Sequence, residues 1–224
     1  MPIKQNLESI KHNIADAAIR SGRRPEDITL CAITKTVDVD PINELIDCGV
    51  DNIGESKIQD ALRKYPNVKE GIAWHLVGHL QTNKAKEAVK LFDHIHSVDS
   101  VKLASHISRR AGEIGKSVKI LIEVNVAEEE TKYGLNISEV EPALREMAKL
   151  ESIEIVGLMT MAPYIDAEET RPYFRKLREL KDALNAKNIN GLHLNQLSMG
   201  MTNDYVVAIE EGATIVRIGT ALFE

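Results

Sequence analysis

Lys35 stands at the end of an apolar run, ITLCAIT (28–34), where a buried strand would open into a loop. An amine partly withdrawn from water gives up its proton more readily and condenses with aldehydes to a Schiff base. Two stretches near the other end of the chain, LSMGMTND (197–204) and RIGTA (217–221), combine glycine with hydroxyls. Glycine lets backbone N–H groups approach an anion closely, and hydroxyls add donors. Ser198, Gly200, Thr202, Gly219 and Thr220 supply both ingredients, the make-up of a phosphate site. An amine, phosphate-binding turns and Arg217 together suit an aldehyde that carries a phosphate, and pyridoxal 5′-phosphate is such a ligand. Arg217 stays protonated, so it would donate to the pyridine nitrogen of that cofactor and leave it without a proton of its own. The plainer alternatives are a lysine reaching to water, two tight turns, and an arginine paired with Glu123 or Asp99.

These residues need a scaffold that brings residue 35 beside residues 198–220. Eight strand-like segments supply it: 28–35, 52–55, 73–78, 94–99, 118–126, 153–160, 193–198 and 214–219. Several are near-continuous apolar runs, as strands covered on both faces are. Helix-like stretches lie between them. Asp40-Pro41 reads as an N-cap and a first-turn proline. Ser56 with Gln59, and Ser138 with Glu141, have capping-box spacing, and Asp166 with Glu169 is a looser version. Residues 167–187 read as a solvated outer helix. Eight strand–helix units predict a single closed (β/α)₈ barrel over 1–224 rather than an open doubly wound sheet, which would carry a glycine-rich turn where Lys35 stands. An extra amphipathic helix over 1–21 packs on it through Ile3, Leu7, Ile10, Ile14 and Ala17. Barrels work at the C-terminal ends of their strands, and often bind phosphate after strands seven and eight. Lys35, Asn52, Glu55, His79, Asp99, Asn125, Ser198, Gly200, Arg217, Gly219 and Thr220 are therefore expected at one mouth.

The chain has 224 residues, 43% hydrophobic and 28% charged, with net charge −6. It can bury a core without staples. The negative balance argues against nucleic acid as the main partner. No apolar run approaches the roughly 18 residues of a membrane span, and the N-terminal stretch lacks the apolar centre of a signal peptide. Two cysteines, Cys31 and Cys48, make a disulfide framework unexpected and a reduced, cytoplasmic setting the expectation. His75 and His79 straddle a strand and its loop, and His94 and His96 share one side of a strand. Packing or supporting roles are expected for them rather than metal binding. The acidic run Glu128–Glu130 reads as a solvated loop.

The stretches AITKT (32–36), NIGES (52–56), WHLVGHLQTNK (74–84), EVNVAEEETKYGL (123–135), GLMTM (157–161), LSMGMTNDY (197–205) and VRIGTALF (216–223) closely resemble, in the same order, the pyridoxal phosphate homeostasis proteins, also called proline synthetase co-transcribed homologues. The resemblance implies a barrel similar to the N-terminal domain of alanine racemase. It implies a protein that holds pyridoxal 5′-phosphate without robust catalysis and balances the vitamin B6 pool. It puts the Schiff-base lysine on Lys35, phosphate-binding residues on Ser198, Gly200, Gly219 and Thr220, and the pyridine-nitrogen arginine on Arg217. The family's chains usually continue past Phe223 with a glycine and a basic residue, where this chain stops at Glu224.

The rival expectation is a pyridoxal phosphate-dependent amino-acid racemase. Racemisation needs an acid or base on each face of the cofactor. Alanine racemase draws the opposite tyrosine from a second domain, carries a histidine where Met161 stands, and has a tyrosine soon after its lysine that KTVDVDP (35–41) lacks. A Schiff-base aldolase is a more distant third. The expectation is thus a carrier, monomeric, with cofactor-dependent apoenzymes as recipients.

Overall fold

The computed structural model describes residues 3–129 and 132–224, so residues 1 and 2 of the expected first helix and Glu130 of the acidic run lie outside it. Eight parallel strands close into a barrel in chain order: β1 (Thr29–Ile33), β2 (Asn52–Glu55), β3 (Ala73–Leu76), β4 (His94–Val98), β5 (Val118–Glu123), β6 (Ile153–Met159), β7 (Gln196–Ser198) and β8 (Ile215–Ile218). Closure is made by β1 on β8, with Thr29 opposite Ile215 and Cys31 opposite Arg217. Helices α1 (Ile3–Arg20), α2 (Val39–Asp47), α3 (Ile58–Lys64), α4 (Ala85–Leu91), α5 (Val101–Gly112), α6 (Ile137–Met147), α7 (Arg171–Ala186), α8 (Tyr205–Glu210) and α9 (Thr220–Phe223) surround it. All eight expected strands exist. β2 and β7 end where expected and the other six end earlier; just past their strands, Thr34, Val124 and Thr160 are buried and still give their N–H groups to the neighbouring strand.

The main core lies between the outer face of the barrel and the helices. α1 contributes Leu7, Ile10, Ile14 and Ala17 of the expected stripe, with Ala18 beside them, while Ile3 is only partly buried against the core. Its polar edge is tied down as well: the Asn6 amide donates to the Leu222 carbonyl (3.2 Å) and the Asn13 amide to the Tyr205 hydroxyl (3.0 Å). Among the described residues no helix is long and apolar enough to cross a membrane.

Helix starts differ from the expected ones by small offsets. α2 begins at Val39 after Asp38, so Pro41 sits within the first turn. α3 starts at Ile58 with Lys57 as its N-cap, one residue past Ser56. At α6 the capping box is made by Asn136 and Glu139, two residues earlier than Ser138 and Glu141. Asp166 accepts from the Glu168 N–H at the head of a short 3₁₀ turn, and α7 follows at Arg171. That helix is less solvated than its composition implies. Its Arg171, Arg175 and Arg178 converge on the buried carboxylate of Glu211, just past α8.

Inside the barrel the packing changes character. Two small apolar groups, Cys31/Ile33/Ile215 and Leu121/Val156/Met159, fill part of it. Much of the rest is polar and buried: His75, His96, Ser198, Arg217 and Glu123. Both cysteines are free, and burial pushes the Cys31 thiol up to about 12, which keeps it protonated and inert.

Candidate functional site

The C-terminal mouth holds a cleft of about 290 Å³. Lys35 and Thr36 after β1, Met201 to Asp204 after β7, and Arg217, Gly219 and Thr220 at the end of β8 line it, with Pro163, Tyr164 and Ile165 across from them. Lys35 sits in the turn two residues beyond β1 and is exposed, and its amine has no hydrogen-bond or ion-pair partner among the described residues. Just past Ile33 the Thr34 N–H still goes to the Gly54 carbonyl of β2 and the Thr34 hydroxyl to Glu55 (2.7 Å), after which the chain turns outward.

Arg217 is 4% exposed and forms the floor of the cleft. Its guanidinium donates to the Ser198 hydroxyl (2.6 Å) and to the Thr160 carbonyl (2.9 Å). Among the described residues no carboxylate lies within ion-pair distance, so neither Glu123 nor Asp99 is its partner. A buried charge without a counter-ion is costly unless something else meets it. Burial lowers the proton affinity of this group, while Cys31, Asp204 and Glu123 act on it from a distance in the opposite sense.

The two turns beside Arg217 are built differently. Gly200 has φ +92°, and a Cβ there would come within 2.6 Å of the Ala208 methyl. Glycine is therefore required for the loop to turn over α8. Asp204 takes the Met201 N–H (2.6 Å), which fixes the loop and puts a carboxylate at the head of α8. The N–H groups of Thr202 and Asn203 and the hydroxyls of Thr202 and Thr220 have no partner among the described residues. Thr220 and Ala221 open α9, where N–H groups have no intrahelical acceptor. Gly219 lets this turn lie against β1, where a Cβ would meet the Ile33 carbonyl at 3.1 Å.

Four of the six expected site residues thus line the cleft: Lys35, Arg217, Gly219 and Thr220. Gly200 and Ser198 lie beneath it, the latter with its hydroxyl turned into the barrel between Arg217 and His96. Asn52 is at the opposite mouth, since it begins β2 rather than ending it. Glu55 is buried on Lys64 (2.6 Å), away from the cleft. The sequence reading did not find Lys64, nor Pro163 to Ile165, for which no spacing gives a signal. The described residues contain no group of three or more histidine, cysteine or acidic side chains placed to hold a metal ion.

Glu123 closes β5 and is 3% exposed. Burial, and then the charge of Asp99, push its carboxyl up to about 7, against the pull of Arg217. The unfolded chain loses that proton near the ordinary glutamate value, so the folded form holds more protons between about 4.5 and 7. Stability from this group is complete below that window and falls as pH rises through it. Glu123→Gln is therefore expected to match the parent near pH 4.5 and to exceed it by roughly 2–3 kcal/mol at pH 8 in urea unfolding. Equal stabilities at pH 8 would contradict the assignment.

A closed barrel that gathers a free amine, a buried arginine and hydroxyl-bearing turns at its C-terminal mouth defines a class, and the chain belongs to the family described as alanine racemase, N-terminal domain, whose profile matches residues 5–224. Within it the chain is similar to proteins named pyridoxal phosphate homeostasis protein. That of Aquifex aeolicus is 42% identical over 221 residues, covering 98% of this chain and 96% of the relative. The solved structure of PipY from Synechococcus elongatus with PLP bound has a TM-score of 0.87 at 35% identity, covering 99% of this chain and 100% of that one. Alanine racemase of Clostridium difficile has a TM-score of 0.72 at 18% identity and is covered over 56% of its length, a likeness of fold alone.

Proposed function

We propose that this chain binds pyridoxal 5′-phosphate at the C-terminal mouth of its barrel and takes part in keeping the intracellular supply of that cofactor in balance. The observation that carries the reading is the buried guanidinium of Arg217, with no carboxylate partner among the described residues, beneath a cleft that also presents a lysine and two turns whose donors have no partner among those residues. The names of the relatives and the PLP-bound PipY structure support the same ligand. The cofactor supplies an aldehyde that condenses with primary amines, an aromatic ring with a basic nitrogen, and a phosphate.

Each part of the site answers one of these features. Lys35 offers the amine. Arg217 donates to the ring nitrogen and, being permanently protonated, leaves it unprotonated, which makes the ring a poorer sink for electrons. Thr202, Gly219 and Thr220, with the N–H groups of Thr202, Asn203 and the first turn of α9, hold the phosphate. Gly200 shapes the first of these turns. Ser198 acts through Arg217, since its hydroxyl is committed there and to His96.

The chain holds the cofactor rather than turning over an amino acid. Racemisation needs a placed acid or base on the face opposite Lys35. Tyr164, which lines the cleft, is 89% exposed with no hydrogen-bond partner among the described residues, and Met161 has no proton to give. We further propose that the chain acts as a cytoplasmic monomer and passes the cofactor to apoenzymes that use it. The support is the open mouth, rimmed by exposed Tyr133, Met161, Tyr164 and Ile165.

Borohydride treatment of protein incubated with the cofactor, followed by peptide mass spectrometry, is expected to find a pyridoxyl group on Lys35. A yellow protein in which Lys35 is unmodified after reduction would overturn the assignment.

A further inference from the structure

A line of hydrogen bonds runs through the barrel from one mouth to the other. Arg217 donates to Ser198 Oγ (2.6 Å), which lies 2.8 Å from His96 Nδ1. His96 Nε2 lies 2.8 Å from His75 Nδ1, and His75 Nε2 lies 2.9 Å from Asn52 Oδ1. The Asn52 amide donates to Asp51 Oδ1 (2.7 Å). Ser198 and Arg217 belong to the C-terminal ends of β7 and β8, Asn52 to the N-terminal end of β2, and His75 and His96 bridge them from β3 and β4.

The groups at the two ends settle the direction of every bond. Arginine can only donate, so Ser198 Oγ accepts from it. The Ser198 hydroxyl hydrogen then has one acceptor in reach among the described residues, His96 Nδ1. A neutral His96 that accepts on Nδ1 carries its proton on Nε2 and donates to His75 Nδ1. His75 in turn carries its proton on Nε2 and donates to Asn52. The Asp51 carboxylate can only accept, so it holds the Asn52 NH₂ toward itself and the Asn52 oxygen toward His75. The reversed chain would strand the Ser198 proton in a buried site and set the Asn52 oxygen against the carboxylate, so it is disfavoured at both ends. Both rings are deeply buried, and burial, reinforced by neighbouring histidines, moves them well below the ordinary histidine range, in keeping with the neutral forms. His94 stacks flat on His75 (ring centroids 4.2 Å) and holds that ring in its plane.

We infer that His96, backed by His75 and anchored through Asn52 on Asp51, is a positioning residue for Arg217: it turns the Ser198 oxygen toward the guanidinium and so aims the free N–H groups of Arg217 into the cleft. Aligned donors polarise one another in the same sense, which makes the Ser198 oxygen a better acceptor than an isolated hydroxyl. This is how a guanidinium buried without a carboxylate is met. Asp51, on the opposite face of the barrel from Lys35, becomes part of the binding site at a distance. The effect on the bound cofactor rests on the function proposed above, whereas the direction of the chain does not.

Histidine-selective ¹⁵N labelling of the whole protein, without cofactor, reads the direction itself. Long-range ¹H–¹⁵N correlation at neutral pH is expected to show His75 and His96 neutral, with Nε2 protonated and Nδ1 bare. Asp51→Asn removes the anchor, and a second population with the proton on Nδ1 is expected in both rings. A parent protein with Nδ1 protonated on either ring, or an Asp51→Asn variant with unchanged tautomers, would overturn the inference. For the consequence, Ser198→Ala and Ser198→Thr are titrated with pyridoxal 5′-phosphate and followed by absorbance. The alanine variant is expected to bind about tenfold more weakly with a shifted absorption maximum. The threonine variant, which keeps the hydroxyl, is expected to restore both. Parent-like affinity and maximum in Ser198→Ala would defeat the positioning role. If the parent itself takes up no cofactor, the proposed function fails, and the tautomer measurement still decides the direction of the chain.

Discussion

Lys64→Met is expected to lower the free energy of unfolding by about 3–5 kcal/mol, the usual effect of breaking a buried ion pair from one side. Lys64 is the last residue of α3 and 1% exposed, and its amine donates to Glu55 Oε1 (2.6 Å) and to the Thr34 carbonyl (2.7 Å). Glu55 is fully buried, and its Oε2 already lacks a partner among the described residues. Without the ammonium, the Thr34 hydroxyl would be the one donor left to that carboxylate. The double variant Lys64→Met with Glu55→Leu is expected to recover most of the loss, because two apolar side chains of similar bulk carry no desolvation cost. A loss below about 1 kcal/mol in the single variant, the range of an exposed pair, would show that water reaches this site. The pair matters for binding as well as stability. It grips the carbonyl of Thr34, the residue before Lys35, and so fixes where the chain leaves β1. Slower capture of the cofactor aldehyde is therefore expected even in the stabilised double variant.

The barrel was legible because strands covered on both faces write themselves as apolar runs. Most of the ladder ends were not, because Thr34, Val124 and Thr160 are buried and bonded to the neighbouring strand just past the regular pairing, so the apolar run outlasts the strand. The helix cap lies one residue after Ser56 and two residues before Ser138. Ser and Glu at the right spacing recur in charged sequence, and which pair caps a helix depends on where the preceding strand lets the chain turn. Lys35 and Arg217 could be read because each interrupts an apolar run with a charge. Ser198 also could be read as belonging near the site, but not which way it faces. The next residue along a strand points to the other side of the sheet, and the end of a three-residue strand carries too little alternation to assign a side. His75 and His96 gave no signal of their partnership. They sit on neighbouring strands, 21 residues apart, and only the closed barrel brings ring to ring. Lys64 carries no sequence signal, since burial of a helix end by the turn after β1 is a tertiary event.

Lys35→Ala is expected to abolish the borohydride-trapped adduct and to weaken pyridoxal 5′-phosphate binding on the order of a hundredfold, which corresponds to about 2.8 kcal/mol. Lys35 is the one lysine among the residues lining the cleft, and no carboxylate among the described residues ties it down. Its loss therefore removes the covalent link without freeing a buried charge, and the melting temperature of the unliganded protein is expected to stay within a degree or two. Binding should persist at high concentration, because Arg217, Thr202 and Thr220 are untouched. Lys35→Arg separates charge from nucleophilicity: it keeps the positive charge near the phosphate turns but cannot condense with an aldehyde at neutral pH. It is expected to lose the adduct as fully as alanine does while binding several-fold more tightly than alanine, through Coulomb attraction alone. The two variants are compared by absorbance titration and by mass spectrometry after reduction. An adduct that survives in Lys35→Ala on another lysine at parent yield would mean that the cleft does not select its amine. Capture would then follow from the reactivity of the aldehyde, and the unpaired position of Lys35 above the Arg217 floor would have no bearing on it.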